Sequence, residues 1–281
     1  MKLTFLYCEG PHDMAFLAKL IKDLDLTNNE VNTVSDLHET IKNIVLGAIE
    51  KIDSESIRID KPLRVFFPNK VFALKNDHYV CIFSMGGKDN LEAALQNIVT
   101  NKLLLKYPKV SKVDLLRHAF VLDADYKHLE DGKPNPQGGI INTLSNLSRE
   151  IQGYVNEFEE FTNHANWHDT SFGQIGNFIF YDSTEEEGTL EDLLEQFVKD
   201  SAEPMLEPSN HFCSSVKTFD IDRKAKAKDK TKQQKIVFTS MTQVFHPGCS
   251  LAVGLQNDKV IDSEKIKTHK ISKEFEDFLT I

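Results

Sequence analysis

Hydrophobic positions along this chain come as short unbroken runs that alternate with stretches of helical period. The first run, in KLTFLYC, starts at Lys2 and stops at Glu9-Gly10. A brief apolar run of β-favouring residues predicts a buried strand. Directly after it, Met14, Phe16, Leu17, Leu20, Ile21 and Leu24 recur at helical spacing, which predicts a helix from His12 to Asp25. Residues 28 to 60 read as an insertion, in which SDLHETIKNIVLGAIEKI is an amphipathic helix with Ser35 as its N-cap. LRVFF, KVFAL and YVCIFSM are short β-type runs, and KND between the last two reads as a hairpin turn. GGKDNLEAALQNIVTNKLLLKY is a Gly-Gly turn leading into a long helix. RHAFVLDAD is another strand that ends in acids, followed by a helix over about 139 to 163. GNFIFYD predicts a strand, GTLEDLLEQFV a helix, and SKEFEDFL a short amphipathic helix near the end.

Strands that alternate with helices predict an α/β fold with a mostly parallel central sheet flanked by helices. The expected organisation is one domain over 1–281, with an insertion at about 28–75 and a C-terminal elaboration from about 203. In such sheets ligands sit outside the carboxyl ends of the strands. Glu9, Asp123 and Asp125 all fall at those ends, and that coincidence is the main functional signal.

Composition narrows the classes. Hydrophobic residues make up 40% and charged residues 27%, ordinary for a globular protein, and no apolar run approaches the length of a membrane span. The N-terminal run is short, breaks at Glu9 and has no cleavage-site pattern, so it reads as a strand and not a signal peptide. Cys8, Cys81, Cys213 and Cys249 are far apart in sequence, which fits buried thiols in a reducing cytoplasm. The formal net charge of −10 argues against coating nucleic acid by charge alone. Phosphate binding must then come from a local basic patch or from bound cations.

The acids define the candidate chemistry. Asp13 follows Glu9 by one helical turn, and Gly10 between them suits a tight turn and a close approach. Asp123 and Asp125 flank Ala124, and at period two in extended chain their carboxylates point to the same side. Carboxylates gathered this way repel, and a divalent cation removes the conflict. Hard oxygen ligands suit Mg²⁺ or Mn²⁺. A lone strand-end acid is more often a helix cap or a solvated loop residue, so the weight lies in the grouping.

EGPHD after one strand, SMGGKDNL after a second and VLDAD after a third resemble the Toprim domain, the catalytic fold of topoisomerases, bacterial primases and OLD-family nucleases. GTLEDLL, a Lys-rich stretch and FHPGCSLAVGL are similar to a Toprim-like family of prokaryotic proteins, the domain of unknown function 3226. The segment 28–75 has no counterpart in that pattern. The resemblance implies metal-dependent phosphoryl transfer. It matches Glu9 to the Toprim glutamate, Asp123 and Asp125 to its D-x-D, and Asp13 to the acid four residues on in OLD-type nucleases. It matches Gly86 and Gly87 to the turn after the second strand, and Glu191 and Asp192 to a later acidic motif. Lys230 and Lys235 are the candidates for a late catalytic lysine.

The expected activity is therefore nuclease-like hydrolysis of nucleic acid with Mg²⁺ or Mn²⁺. Glu9 acts as ligand or general acid/base, Asp123 and Asp125 hold the metal, and Asp13 and Glu191 complete a second position. The alternative is a non-catalytic Toprim-like module that works with a separate ATPase, since the chain has no Walker motif. A homodimer is among the expected assemblies, and a membrane is not. The absence of zinc-ribbon cysteines argues against a primase, and the lack of a separate cleavage domain against a topoisomerase. His164 and His168 in NHANWHD sit at i, i+4 and suit one helical face, but a surface or capping pair fits them better than zinc. SMGGKDN lacks P-loop spacing. The basic run 223–235 reads either as a phosphate contact or as a solvated segment.

Overall fold

A computed structural model of the chain describes residues 1–50, 67–104, 112–129, 132–182, 184–218 and 230–280. Chain order runs β1 (Lys2–Cys8), α1 (Pro11–Asp23), β2 (Thr27–Val31), α2 (Glu39–Glu50), β3 (Lys70–Leu74), β4 (His78–Ser84) and α3 (Leu91–Leu104). It continues through β5 (Leu115–Asp123), α4 (Ile140–Gln152), β6 (Asn166–Thr170), β7 (Gly173–Phe180) and α5 (Leu190–Gln196). The remainder is helical: α6 (Leu206–Thr218), α7 (Lys230–Phe245), α8 (Leu251–Leu255), α9 (Ser263–Thr268) and α10 (Lys270–Thr280).

The strands form one sheet in the order β2-β3-β4-β1-β5-β7-β6. The architecture is mixed α/β. Parallel pairing holds in the centre, where β1 lies between β4 and β5, and β5 pairs β7. The edges are antiparallel: β2 with β3, β3 with β4, and β6 with β7. The predicted mostly parallel sheet is thus a parallel core of four strands with an antiparallel flank on each side. The reason is local. Asn76 and Asp77 both adopt positive φ, 59° and 53°, so β3 turns straight back into β4 through a two-residue turn of the I′ kind.

Alternate residues of β1 feed two cores. Leu6 and Cys8 face the cluster that holds Phe16 of α1, Leu193 of α5, Phe238 of α7 and Phe275 of α10. Leu3, Phe5 and Tyr7 face the cluster that holds Ile44 of α2, Leu95 of α3 and Leu147 of α4. Both faces of the sheet are covered, as a parallel core requires. Residues read as an insertion supply β2 and β3 of this same sheet and α2, which packs beside α3, and α8 and α9 of the C-terminal part pack on α1.

Three local expectations change. The helix predicted over 139–163 stops at Gln152. Beyond Gly153 the chain folds back, and the Phe161 amide donates to the Ser148 hydroxyl at 2.9 Å. Phe158 and Phe161 keep an apolar spacing that mimics a longer helix while packing on its outer turn. Ser35 does not cap α2; it sits in a short 3₁₀ turn, Val34–Asp36, and the Thr40 amide donates to His38 Nδ1. His164 and His168 share no helical face, because Asn166–Thr170 is strand β6, and His164 Nδ1 accepts from the Ile179 amide at 3.0 Å. The run LRVFF lies outside the described residues up to Phe66.

Two histidines are sealed in the sheet. His78 lies 2.8 Å from Thr4 Oγ1, and His118 Nδ1 lies 3.1 Å from the Tyr7 hydroxyl. Burial pushes His78 down to about 4 and His118 to about 3. Both imidazoles are neutral in the fold, so the unfolded chain binds more protons below about pH 6.5. Their contribution is fully present above that pH and is lost as pH falls toward 4. His118→Gln should shrink the drop in urea midpoint between pH 7 and pH 5; an unchanged drop would place the acid sensitivity elsewhere.

Candidate active site at the carboxyl ends of the central strands

Glu9 is the first residue past β1, and it ties three strand ends together. Its Oε1 accepts from the Asp123 amide on β5 at 2.8 Å. Its carbonyl accepts from the Gly87 amide beyond β4 at 2.7 Å. Gly86 and Gly87 reach that position with φ of 81° and 124°, a region open to glycine. Nothing lies within 4 Å of a Cβ placed on Gly87, so the requirement there is conformational and not spatial.

That turn delivers Lys88. Its Nζ lies 3.3 Å from Glu9 Oε1, 3.2 Å from the Asp123 carbonyl, and pairs with Asp125 Oδ2. Burial works to lower the ammonium's pKa, but the carboxylates of Glu9 and Asp125 outweigh it and hold the pKa above its usual value. Lys88 was not among the sequence-derived candidates. The signal was its place directly after a strand-end Gly-Gly; a lysine in such a loop reads as solvated.

Asp123 and Asp125 do not share a side by strand alternation. β5 ends at Asp123, and Asp125 turns to φ 57°. Asp125 therefore meets Lys88, whereas Asp123 Oδ1 accepts from the Leu190 amide at 2.8 Å, at the first residue of α5. A helix N-terminus carries partial positive charge and suits that carboxylate.

Asp13 and Asp192 occupy the same local role. Each is the third residue of its helix and accepts from the backbone at the cap: Asp13 from the Gly10 amide at 2.6 Å, Asp192 from the Thr189 amide at 2.8 Å. Asp192 also accepts from the Tyr126 hydroxyl at 2.6 Å, so its functional candidacy gives way to a structural task. Gly10 has an extended backbone, φ −148°, and a Cβ there would meet Asp13 Oδ2 at an ordinary 3.5 Å. The tight turn expected of Gly10 is not made by it.

Glu191 precedes Asp192 on α5 and points the other way. It is 1% exposed, and neither carboxylate oxygen has a hydrogen-bond partner. The Lys235 ammonium and the His12 Nδ1 both lie 3.6 Å from Oε1, within ion-pair reach for the lysine but beyond a hydrogen bond. Lys235 thus joins the acids, whereas the side chain of Lys230 lies outside the described residues. Burial works to lower Lys235, but Glu191, Asp123, Asp13 and Glu9 together raise it. Burial raises Glu9 against the pull of Lys88, and raises Asp123 with help from Glu9, Asp13 and Glu191. Asp13 is pushed up to about 8, by burial first and then by Glu9 and Glu191.

Glu9, Asp13, Asp123, Asp125 and Glu191 therefore gather around two ammonium groups, Lys88 and Lys235. Positive charge falls short of negative, and the shortfall is met by protons or by an added cation. Among the described residues no three His, Cys, Asp or Glu side chains converge closely enough to hold a metal ion as they stand.

A family profile described as Protein of unknown function (DUF3226) matches residues 4–280, and the chain belongs to that family. No curated protein matches the chain. The crystal structure of a hypothetical protein from Pyrococcus horikoshii OT3 is similar over 100% of this chain and 95% of that one, with a TM-score of 0.52 and 15% identity. That likeness concerns the fold alone. No helix among the described residues is long and apolar enough to cross a membrane.

The raised Asp13 gives a test with a defined sign. Its folded pKa lies above the unfolded value, so its contribution to metal-free stability is full below about pH 4 and is lost as pH rises toward 8. Asp13→Asn keeps the oxygen that accepts from Gly10. It should raise the metal-free melting temperature by about a few degrees at pH 8.5 and by clearly less at pH 5. A lower melting temperature at both pH values would make the charge itself structural.

Proposed function

We propose that this chain is a Toprim-like, metal-dependent phosphoryl-transfer protein, nuclease-like and acting on nucleic acid. The observation that carries the reading is Glu191. A carboxylate removed from water with no donor on either oxygen is strongly unfavourable unless something neutralises it. Asp13, Asp123 and Glu9 face the same interior, so Lys235 alone does not balance the group, and an added cation would take the place of the protons that the raised carboxyls otherwise hold. The donors are all carboxylate oxygens, which suits Mg²⁺ or Mn²⁺ and not a soft metal. Glu191, Asp13 and Asp123 would hold it, with small side-chain shifts closing the set, and such an ion supplies charge stabilisation to a reacting phosphate.

The chain's own groups divide the remaining work. Lys235 and Lys88 stay charged, and each is more than a third exposed, so both are placed to meet phosphate oxygens. Their reach matters because the chain's net charge of −10 gives no general attraction for a polyanion. Burial raises the Glu9 pKa against the pull of Lys88, whose ammonium lies 3.3 Å away, so Glu9 is placed to serve as the general acid/base.

A second reading rests on Lys88. It already neutralises Glu9 and Asp125, and no ready metal cage exists among the described residues. A non-catalytic Toprim-like module that binds a nucleotide, or serves a separate ATPase, needs nothing more.

Two measurements separate the readings. Millimolar Mn²⁺ should raise the melting temperature, more at pH 8 than at pH 6 because protons compete for the same carboxylates. Glu191→Gln should remove most of that rise. Glu9→Gln should lower Mn²⁺-dependent cleavage of DNA or RNA by about 10²–10⁴-fold with the fold unchanged. A wild type that gains no stability from Mn²⁺ and cuts no single-stranded, duplex or RNA substrate leaves the non-catalytic reading.

A further inference from the structure

Between the turn after β4 and the middle of α4 a cavity of about 480 Å³ opens beside Lys88. That volume is typical of a small-ligand site. Leu91, Leu122 and Leu147 give it apolar walls, and Gln137 and Asn146 add side-chain amides. Lys88 belongs to both places, since its residue lines the cavity while its ammonium reaches Glu9 and Asp125. The cavity lies on the α3–α4 face of the sheet, and Glu191 and Lys235 lie on the α5–α7 face.

We infer that this cavity takes the unstacked base of the nucleotide whose phosphate sits at Lys88. The protein would then act on single-stranded or frayed nucleic acid and not on intact duplex. The inference rests on the phosphoryl-transfer reading, which places a phosphate at that lysine. A nucleotide joins an anionic end to a flat body with apolar faces and hydrogen-bonding edges. The cavity offers matching chemistry: Lys88 on the side of the strand ends, leucine walls, and the amides of Gln137 and Asn146, each with a donor and an acceptor, while Arg149 offsets part of the charge of Glu92 and Glu150 in the same lining. Arg149, an exposed residue of the same lining, donates from Nη1 to Asn146 Oδ1 at 3.4 Å and would be available to a further phosphate of the strand. A base within a duplex is stacked and paired, and must leave the stack to sit between the leucine walls of a recess of this depth.

Asn146→Phe fills the cavity from α4 without touching the acids, and Gln137→Ala removes an exposed amide at little risk to the fold. Binding is read by fluorescence anisotropy for single-stranded and duplex oligonucleotides of equal length. Thermal shift compares dAMP with inorganic phosphate. Wild type should favour the single strand, and dAMP over phosphate, by about tenfold or more, the scale of burying one base. Asn146→Phe should lose that preference while its response to inorganic phosphate stays at the wild-type level. Gln137→Ala should change the ranking of the four mononucleotides, which keeps the idea testable if Asn146→Phe does not fold. Equal affinity of wild type for single strand and duplex, or an unchanged preference in both variants, would overturn the assignment. Cleavage separates it from the reading beneath it. A wild type that cuts but ignores both substitutions keeps phosphoryl transfer and loses the cavity's role. One that binds dAMP through Asn146 yet cuts nothing keeps the cavity and loses the enzyme.

Discussion

Everything at the sheet mouth depends on where the Glu9 carboxylate is held. It accepts from the Asp123 amide, one strand over, and its own carbonyl accepts from Gly87 on the other side. Two parallel strands that end side by side each leave backbone groups without a ladder partner. Glu9 supplies one acceptor in side chain and one in backbone, and so joins β4, β1 and β5. The same contact brings an acid into the interior beside Asp123 and Asp13. Bond satisfaction and charge repulsion are thus set against each other at one residue, and the rest of the site reads as a response: Lys88, Lys235, the N-terminus of α5 and raised carboxyl pKa values.

The response is unequal on the two faces. Toward α3 and α4, Lys88 pairs directly with Glu9 and Asp125 and fronts an open cavity. Toward α5 and α7, Glu191 is buried without a hydrogen bond and Lys235 stops short of it. One half of the mouth is electrostatically closed and the other is not. A ligand that brings positive charge gains most on the second half, where the acids outnumber the ammonium.

Much of this was legible in the sequence because apolar runs that stop at acids mark strand ends directly, and Glu9 and Asp123 stand where they were expected. The D-x-D side assignment failed because it assumed extended chain through Asp125, and one left-handed residue reverses a side chain. Lys88 was missed because a charge in a glycine turn carries no periodicity. Lys235 was named but not fixed, since its position depends on how α7 docks against α5. The antiparallel β3–β4 pair was legible, since KND between KVFAL and YVCIFSM reads as a hairpin turn, whereas β6 at the other edge, NWHDT, carries no apolar alternation to mark it as a strand. Asp13 and Asp192 illustrate a deeper ambiguity, for an acid three residues into a helix looks the same in sequence whether it caps or ligates.

The position of β1 also bears on how the chain reaches this state. Lys2 lies opposite His78 on one side and Leu115 on the other, so the central strand precedes both of its partners in the chain by long stretches. Both edges of this apolar segment stay open until β4 has left the ribosome, and one stays open until β5 has. Contacts of such sequence separation fold slowly, and exposed edges of this kind invite association with other chains. The strand that carries Glu9 to the site is therefore also the segment for which a nascent chain has most need of a chaperone.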